Sequence, residues 1–274
     1  MTLSLNTNVA ASKAALHLAK NQENLNKSLD RLSSGKRITS AADDAGGLAV
    51  AMKMEANIKG LNATSNNIGN GISFLQAREG VLDQMGQVAS RMSELHSMTE
   101  NILLGTTEVD ATIGAEYLDL SAQLTTLMGE EFNKVAFFGA GSNHDIYTRD
   151  DTAGTTVALT ALNPAAATQI TNIQTATASD VRDRTVTVAH MATAIEYISS
   201  LRADNASEMS TLQYAQETVN NKVTGLTAAL GRIVDVDIAS ESANLAKQQI
   251  LVQASASMVA QANSVNNAAL LLLQ

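Results

Sequence analysis

The sequence has no cysteine, no tryptophan and a single proline, and aromatic residues fill only 3% of its 274 positions. Without cysteine there can be no disulfide, no thiolate metal site and no thiol nucleophile. With so few aromatics, a core cannot draw on the large buried areas that those side chains supply. It must be built from Leu, Ile, Val, Met and Ala. The near absence of proline removes the strongest helix breaker, which suits long uninterrupted helices. No run approaches the ~18 apolar residues of a membrane span; near the end the longest, Ala268 to Leu273, has six. Lys13 and Lys20 interrupt any apolar stretch of a secretory signal, so the chain reads as soluble at synthesis, without membrane insertion. Any export would use another route.

Positive charge is also in short supply. Eighteen Lys and Arg face 27 Asp and Glu, a net charge of −9, which disfavours binding to nucleic acid. The imbalance is not uniform. Residues 1–40 carry Lys13, Lys20, Lys27, Arg31, Lys36 and Arg37 against Glu23 and Asp30, a balance of +4, and the remainder carries −13. This basic face has two readings, a solvated helix face or a contact with a neighbouring copy.

What the sequence does have is periodicity. Ala11, Ala15, Leu18, Gln22, Leu25, Leu29 and Leu32 follow alternating spacings of four and three, the seam of a coiled coil. Ser33-Ser34-Gly35 reads as the helix end, glycine being the residue that most readily takes the left-handed cap. Ser40-Ala41-Ala42-Asp43 resembles a capping box opening the next helix. From Asp44 to Leu104 the helical pattern resumes, with Ile68, Leu75, Leu82 and Ala89 at sevens and Met85, Met92 and Thr99 beside them. Gly69 and Gly71 weaken that stretch by about 1 kcal/mol each relative to alanine, which marks it as a place for a local break. A third helix is expected over 109–132, with Ile113, Tyr117, Leu120, Leu124 and Leu127 on one face. Between Phe138 and Asp180 the texture turns to Gly, Ala, Thr and Asn; Thr155–Thr160 alternates as a strand, and a hairpin is expected there. Helix returns near Val186, first through Val188, Met191, Ile195 and Ile198, then through Met209, Leu212, Val219, Val223, Leu226, Leu230 and Ile233.

After an acidic joint at Asp235 and Asp237, the ending is unusual. Residues 248–274 contain no charged side chain. Ile238, Leu245, Val252 and Val259 recur at sevens, and so do Leu251, Met258, Val265 and Leu272, two adjacent apolar rows beside a face of Gln, Asn and Ser. Burying one stripe does not offset the entropy of ordering so long a segment, so order is expected only when partners surround it. Pairing with the seam of residues 11–32, parallel or antiparallel, is the economical solution; an ordinary terminal helix docked on its own core is the other reading.

These same residues resemble a known family. Leu5-Asn6-Thr7-Asn8, Arg31-Leu32-Ser33-Ser34-Gly35-Lys36-Arg37-Ile38, Ser40 to Ala49, Gly71-Ile72-Ser73 and Glu79-Gly80-Val81-Leu82 look like the N-terminal signature of bacterial flagellins. Arg232 to Asp237, Gln249 to Ala254 and Ala260 to Asn263 resemble the C-terminal one. The resemblance covers roughly the first 105 and last 90 residues. It implies a mainly α fold: long antiparallel helical bundle and coiled-coil packing, a short β-hairpin, and paired N- and C-terminal helices. Residues 1–43 and 234–274 would form an inner terminal region, 44–233 a rod-like layer, and 139–180 a short hairpin or loop segment where larger members insert outer domains. It implies a subunit that polymerises into the flagellar filament for swimming, is secreted by type III export, and resides in the extracellular flagellum. Its implied partners are copies of itself, an export chaperone, a cap protein and hook-associated proteins. The assembly seams would be Leu18, Leu25, Leu29, Leu32, Leu245, Leu251, Val252, Met258, Val259, Val265 and Leu272. Flagellins commonly carry a proline before their final leucines; here Val265-Asn266-Asn267-Ala268-Ala269 stands in that place, so a helix running closer to the terminus is expected. Some members are sensed by an animal innate receptor; Arg91, Glu94 and Leu95 match that patch, while Ala89, Ser90 and Ser93 do not.

Nothing in the sequence suggests an enzyme or a cofactor. The histidines at 17, 96, 144 and 190 are scattered. Asp43-Asp44 and Asp150-Asp151 are adjacent carboxylates, which do not face each other on a helix, and they read as helix-start or loop charge. The methionines fall at helical spacing and read as core fillers. The rival functions are a hook–filament junction protein and another type III-exported coiled-coil surface protein.

Overall fold

The computed structural model describes residues 8–99, 107–139, 144–147, 156–176 and 187–271. Helices α1 (Val9–Ser34), α2 (Ala45–Thr99), α3 (Thr107–Met128), α4 (Thr168–Gln174), α5 (Val188–Val234) and α6 (Ile238–Leu271) dominate it. Two antiparallel strand pairs lie between α3 and α4: β1 (Glu131–Phe132) with β2 (Val135–Ala136), and β3 (His144–Tyr147) with β4 (Thr156–Leu159). The chain divides into two compact units, one of Met1–Ile58 with Thr224–Gln274 and the other of Lys59–Val223.

In the first unit, α1 begins at Asn8, whose side-chain oxygen accepts from the Ala11 amide, and ends at Gly35 with φ +69°. That left-handed turn is the one read from Ser33-Ser34-Gly35, and it sends the chain back across the foot of α6. There Val236 N–H donates to the Gly35 carbonyl, Arg37 N–H to that of Val234, and the Arg37 guanidinium to that of Ile233. The expected capping box is differently built. Asp44, not Ser40, caps α2 by accepting from the Gly47 amide at 2.8 Å. The Asp43 carboxylate turns back instead, accepting from the Thr39 and Ser40 amides and the Thr39 hydroxyl. The acidic joint behaves as read: α5 stops at Val234, and Asp237 caps α6 through the amides of Ala239 and Ser240.

The second unit has its core on α2. Ile68, Leu75, Leu82, Met85, Ala89 and Met92 are all at most 1% exposed, so the row at sevens and the methionines beside it are core. No break occurs at Gly69 or Gly71; the helix is continuous through both. Gly71 has another purpose. A Cβ there would lie 3.1 Å from Leu212 Cδ1 and 3.2 Å from Ile146 Cγ1, so its bare backbone makes room for a side chain of α5 and one of β3. All four phenylalanines cluster: Phe74 lies near Phe137 (5.1 Å between centroids) and edge-on to Phe132 and the His144 ring, and Phe138 follows against Phe137. A chain poor in aromatics has thus gathered all its phenylalanines where the strands meet the helices.

Two local features differ from the sequence reading. Helix α3 stops at Met128 rather than near Phe132, because Gly129 is followed by a β1–β2 hairpin whose turn residues, Asn133 and Lys134, both have positive φ. That is the turn geometry matching the twist of paired strands. Helix α4, absent from the sequence reading, is held to α3 by Tyr117 Oη donating to the Ile173 carbonyl and Ser121 Oγ to that of Gln174.

Candidate assembly surface

The α1–α6 pairing is antiparallel. The Asn8 amide donates to the Ala262 carbonyl, Asn21 Nδ2 to Ser255 Oγ at 2.7 Å, and Arg31 approaches Glu241 at 3.9 Å. The inward side chains of α1 are Ala11, Ala14, Leu18, Asn21, Leu25, Ser28 and Leu32; those of α6 are Glu241, Leu245, Gln248, Val252, Ser255, Val259 and Ala262. Both sets alternate by threes and fours, as knobs-into-holes packing requires. One row of each set is apolar and the other is small or polar.

This placement reassigns half of the α1 seam. Leu18, Leu25 and Leu32 turn inward, but Ala15, Gln22 and Leu29 are exposed, and Ala14, Asn21 and Ser28 take their places. On α6, Leu245, Val252 and Val259 face α1, whereas Ile238, Leu251 and Met258 lie outside, with Met258 64% exposed. The side chains of Val265 and Leu272 lie outside the described residues. Ile250, Leu251 and Met258 therefore remain an apolar surface that α1 does not cover. Beside it, Ala10, Lys13, Ala14, His17, Asn21, Ser255 and Met258 line an open groove of about 590 Å³.

At the foot of the pair sits a charged cluster. Asp43, its side chain 3% exposed, is paired with Lys27 and lies 3.9 Å from Arg31, which reaches Glu241 on its other side. The Lys27 ammonium holds the Asp43 carboxyl far below the usual carboxylate range, with Thr39 and Ser40 adding to it against the cost of burial. The sequence reading took Asp43-Asp44 as one acidic feature; the structure separates them into a buried ion-pair partner and a helix cap.

In the second unit Arg91 and Glu94 share the surface, 3.1 Å apart, with Glu116 on the other side of the guanidinium at 2.8 Å. Both carboxylates raise the arginine's pKa, Glu116 most. Leu95, 1% exposed, faces the core, so the three residues read as one patch do not share a face. Among the described residues there is no cluster of His, Asp or Glu able to hold a metal, and no helix is long and apolar enough to cross a membrane.

A long helix pair formed by the two ends of one chain, with a second apolar row outside it, defines a helical self-assembly module. The bacterial flagellin N-terminal helical region matches residues 5–140, and the bacterial flagellin C-terminal helical region matches residues 188–273. The chain is 32% identical to the flagellar filament 33 kDa core protein of Treponema phagedenis over 98% of its length and 99% of that protein's. It is 30% identical to flagellin of Bacillus subtilis over 94% and 96%. A crystal structure of Bacillus cereus flagellin aligns with 60% of this chain and 94% of that one, at 20% identity and a TM-score of 0.47. The chain belongs to the bacterial flagellin family, and it is a structural subunit of the flagellar filament, not an enzyme.

Proposed function

We propose that this subunit polymerises through its terminal helix pair, with residues 1–43 and 234–274 forming the inner region of the filament and 44–233 the layer around it. The observation that carries this reading is the uncovered row Ile250, Leu251 and Met258, beside an α1–α6 seam that already uses Leu245, Val252 and Val259. Large exposed apolar side chains concentrated on one helix face mark an interaction surface, and self-association is the activity of the family. Leu29 and Leu16, 45% and 70% exposed, are large apolar side chains of α1 that α6 does not cover. The filament is built outside the cell, so the chain is secreted through the type III apparatus. An export chaperone, a cap protein and hook-associated proteins are its partners on the way.

Removal of residues 251–274 tests this. Purified full-length chain, seeded with filament fragments, is expected to give tubes of uniform diameter by electron microscopy, and the truncated chain none. Normal tubes from the truncated chain would overturn the reading.

A further inference from the structure

Helix α6 poses a problem of choice. Its two apolar rows, Leu245-Val252-Val259 and Leu251-Met258, lie side by side, and no charged residue follows Lys247 to mark a solvent face. Hydrophobicity alone would let either row pack on α1, with α6 rotated by about 100°, the angle between adjacent helical residues. The structure nevertheless has a single arrangement, and among the described residues its seam contains one hydrogen bond from side chain to side chain between the helices within the charge-free part of α6.

We infer that the Asn21–Ser255 pair selects which apolar row of α6 faces α1, and so reserves Leu251 and Met258 for neighbouring copies. Ser255 stands between Val252 and Val259 on the inward row. Its hydroxyl donates to the Leu251 carbonyl at 2.7 Å, which leaves only oxygen lone pairs toward α1. Asn21 Nδ2 donates to that oxygen at 2.7 Å and also lies 3.4 Å from the Leu251 carbonyl. If the other row turned inward, Asn21 would meet Met258 and Leu251 side chains, and a half-buried amide would lose its acceptor. An unmade buried hydrogen bond is costly, while the apolar gain of either row is similar. A polar residue at a seam position is a known device for discriminating between packings of equal hydrophobicity. The foot of the pair works in the same direction, since Arg31 reaches Glu241 on the inward row, but at 3.9 Å and from a guanidinium equally near Asp43 it is the looser constraint.

The inference concerns a contact within one chain; only the reserved role of the outer row rests on the filament reading. The absence of native cysteine makes a clean test available. Ala11→Cys is combined either with Ala262→Cys, on the inward row, or with Gln261→Cys, on the outer flank. Intrachain disulfide formation is followed by gel mobility, before and after assembly, and sedimentation is scored on the same samples. With Asn21 and Ser255 intact, the 262 pair is expected to close about tenfold faster than the 261 pair. In Asn21→Leu, and separately in the small-volume variant Ser255→Ala, the two rates should converge to within about twofold. An unchanged preference in both variants, or no preference in the parent, overturns the inference. A chain that shows the preference and its loss but never sediments sinks the filament reading alone.

Discussion

Arg78 and Glu208 hold the two sides of a single residue's backbone. The buried Arg78 guanidinium donates to the Thr160 carbonyl at 3.4 Å, and the Glu208 carboxylate accepts from the Thr160 amide at 2.8 Å while pairing with Arg78. Asn205, itself fully buried, accepts from Arg78 Nε at 2.7 Å and donates to the Leu75 carbonyl. Strand β4 is thus continued beyond its last ladder bond by an ion pair contributed by α2 and α5.

Breaking that pair from one side should be severe. Arg78→Met leaves Glu208 partly buried without its cation, and Glu208→Gln leaves the buried Arg78 guanidinium without its anion; each is expected to cost about 3–5 kcal/mol. Urea unfolding of the full chain, read by circular dichroism, measures both. Equal midpoints for Arg78→Met and the parent would show that the pair contributes nothing.

The two glycines read as one weak spot should respond differently. Nothing lies within 4 Å of a Cβ added at Gly69, so Gly69→Ala should raise stability by up to about 1 kcal/mol through helix propensity. Gly71→Ala gains the same propensity but crowds Leu212 and Ile146, and is expected to fall at least about 1 kcal/mol below Gly69→Ala. The same unfolding assay ranks them; indistinguishable midpoints would remove the close-approach role of Gly71.

Asp43 predicts an acid limit on the terminal pair. Its folded pKa lies below its unfolded one, so the stabilisation is complete above about pH 5 and is lost as pH falls through the unfolded carboxylate value near 4 and below. Filaments should therefore shed subunits as the pH drops below about 4. Asp43→Asn filaments should be weaker at pH 7 and less sensitive to acid, as sedimentation across pH 2–7 would record. Parallel curves for the two would exclude Asp43 as the cause.

Tyr117 predicts the opposite limit. Burial raises its phenol pKa, so its neutral, hydrogen-bonded form stabilises the second unit fully below about pH 10, and that contribution is lost as pH rises further. Tyr117→Phe should cost about 1 kcal/mol at neutral pH and flatten the alkaline unfolding curve. Ultraviolet titration of tyrosinate alongside circular dichroism checks it; ionisation of Tyr117 ahead of unfolding would contradict it.

The long helices were legible because their signals are local: apolar residues at sevens on α2, Gly35 at the end of α1, Asp235 and Asp237 between α5 and α6. The β3–β4 hairpin was half legible, since Thr156–Leu159 alternates while His144–Tyr147 gains its pairing only through contact. What the seams hide is polar. Asn21, Ser28 and Asn205 occupy core-facing positions, so a search for apolar spacing placed Ala15, Gln22 and Leu29 inward and skipped from Ile198 to Met209. A polar residue at a seam is recognisable only once its partner is known, and Ser255 lies 234 positions from Asn21. Asn133 was the available signal for the β1–β2 turn. Leu95 shares the i, i+4 spacing with Arg91 yet lies on the core side of α2, a boundary that spacing alone does not mark.

The bond from Asn8 to Ala262 joins residues 254 positions apart. Helix α1 therefore waits for its partner, because α6 is made only after the whole of the second unit. Loop closure over nearly the whole chain makes this contact kinetically the slowest kind. The second unit, whose contacts lie within Lys59–Val223, has no such wait. A chain organised this way separates the timing of its two units: the second can close while the partner of α1 has yet to be made.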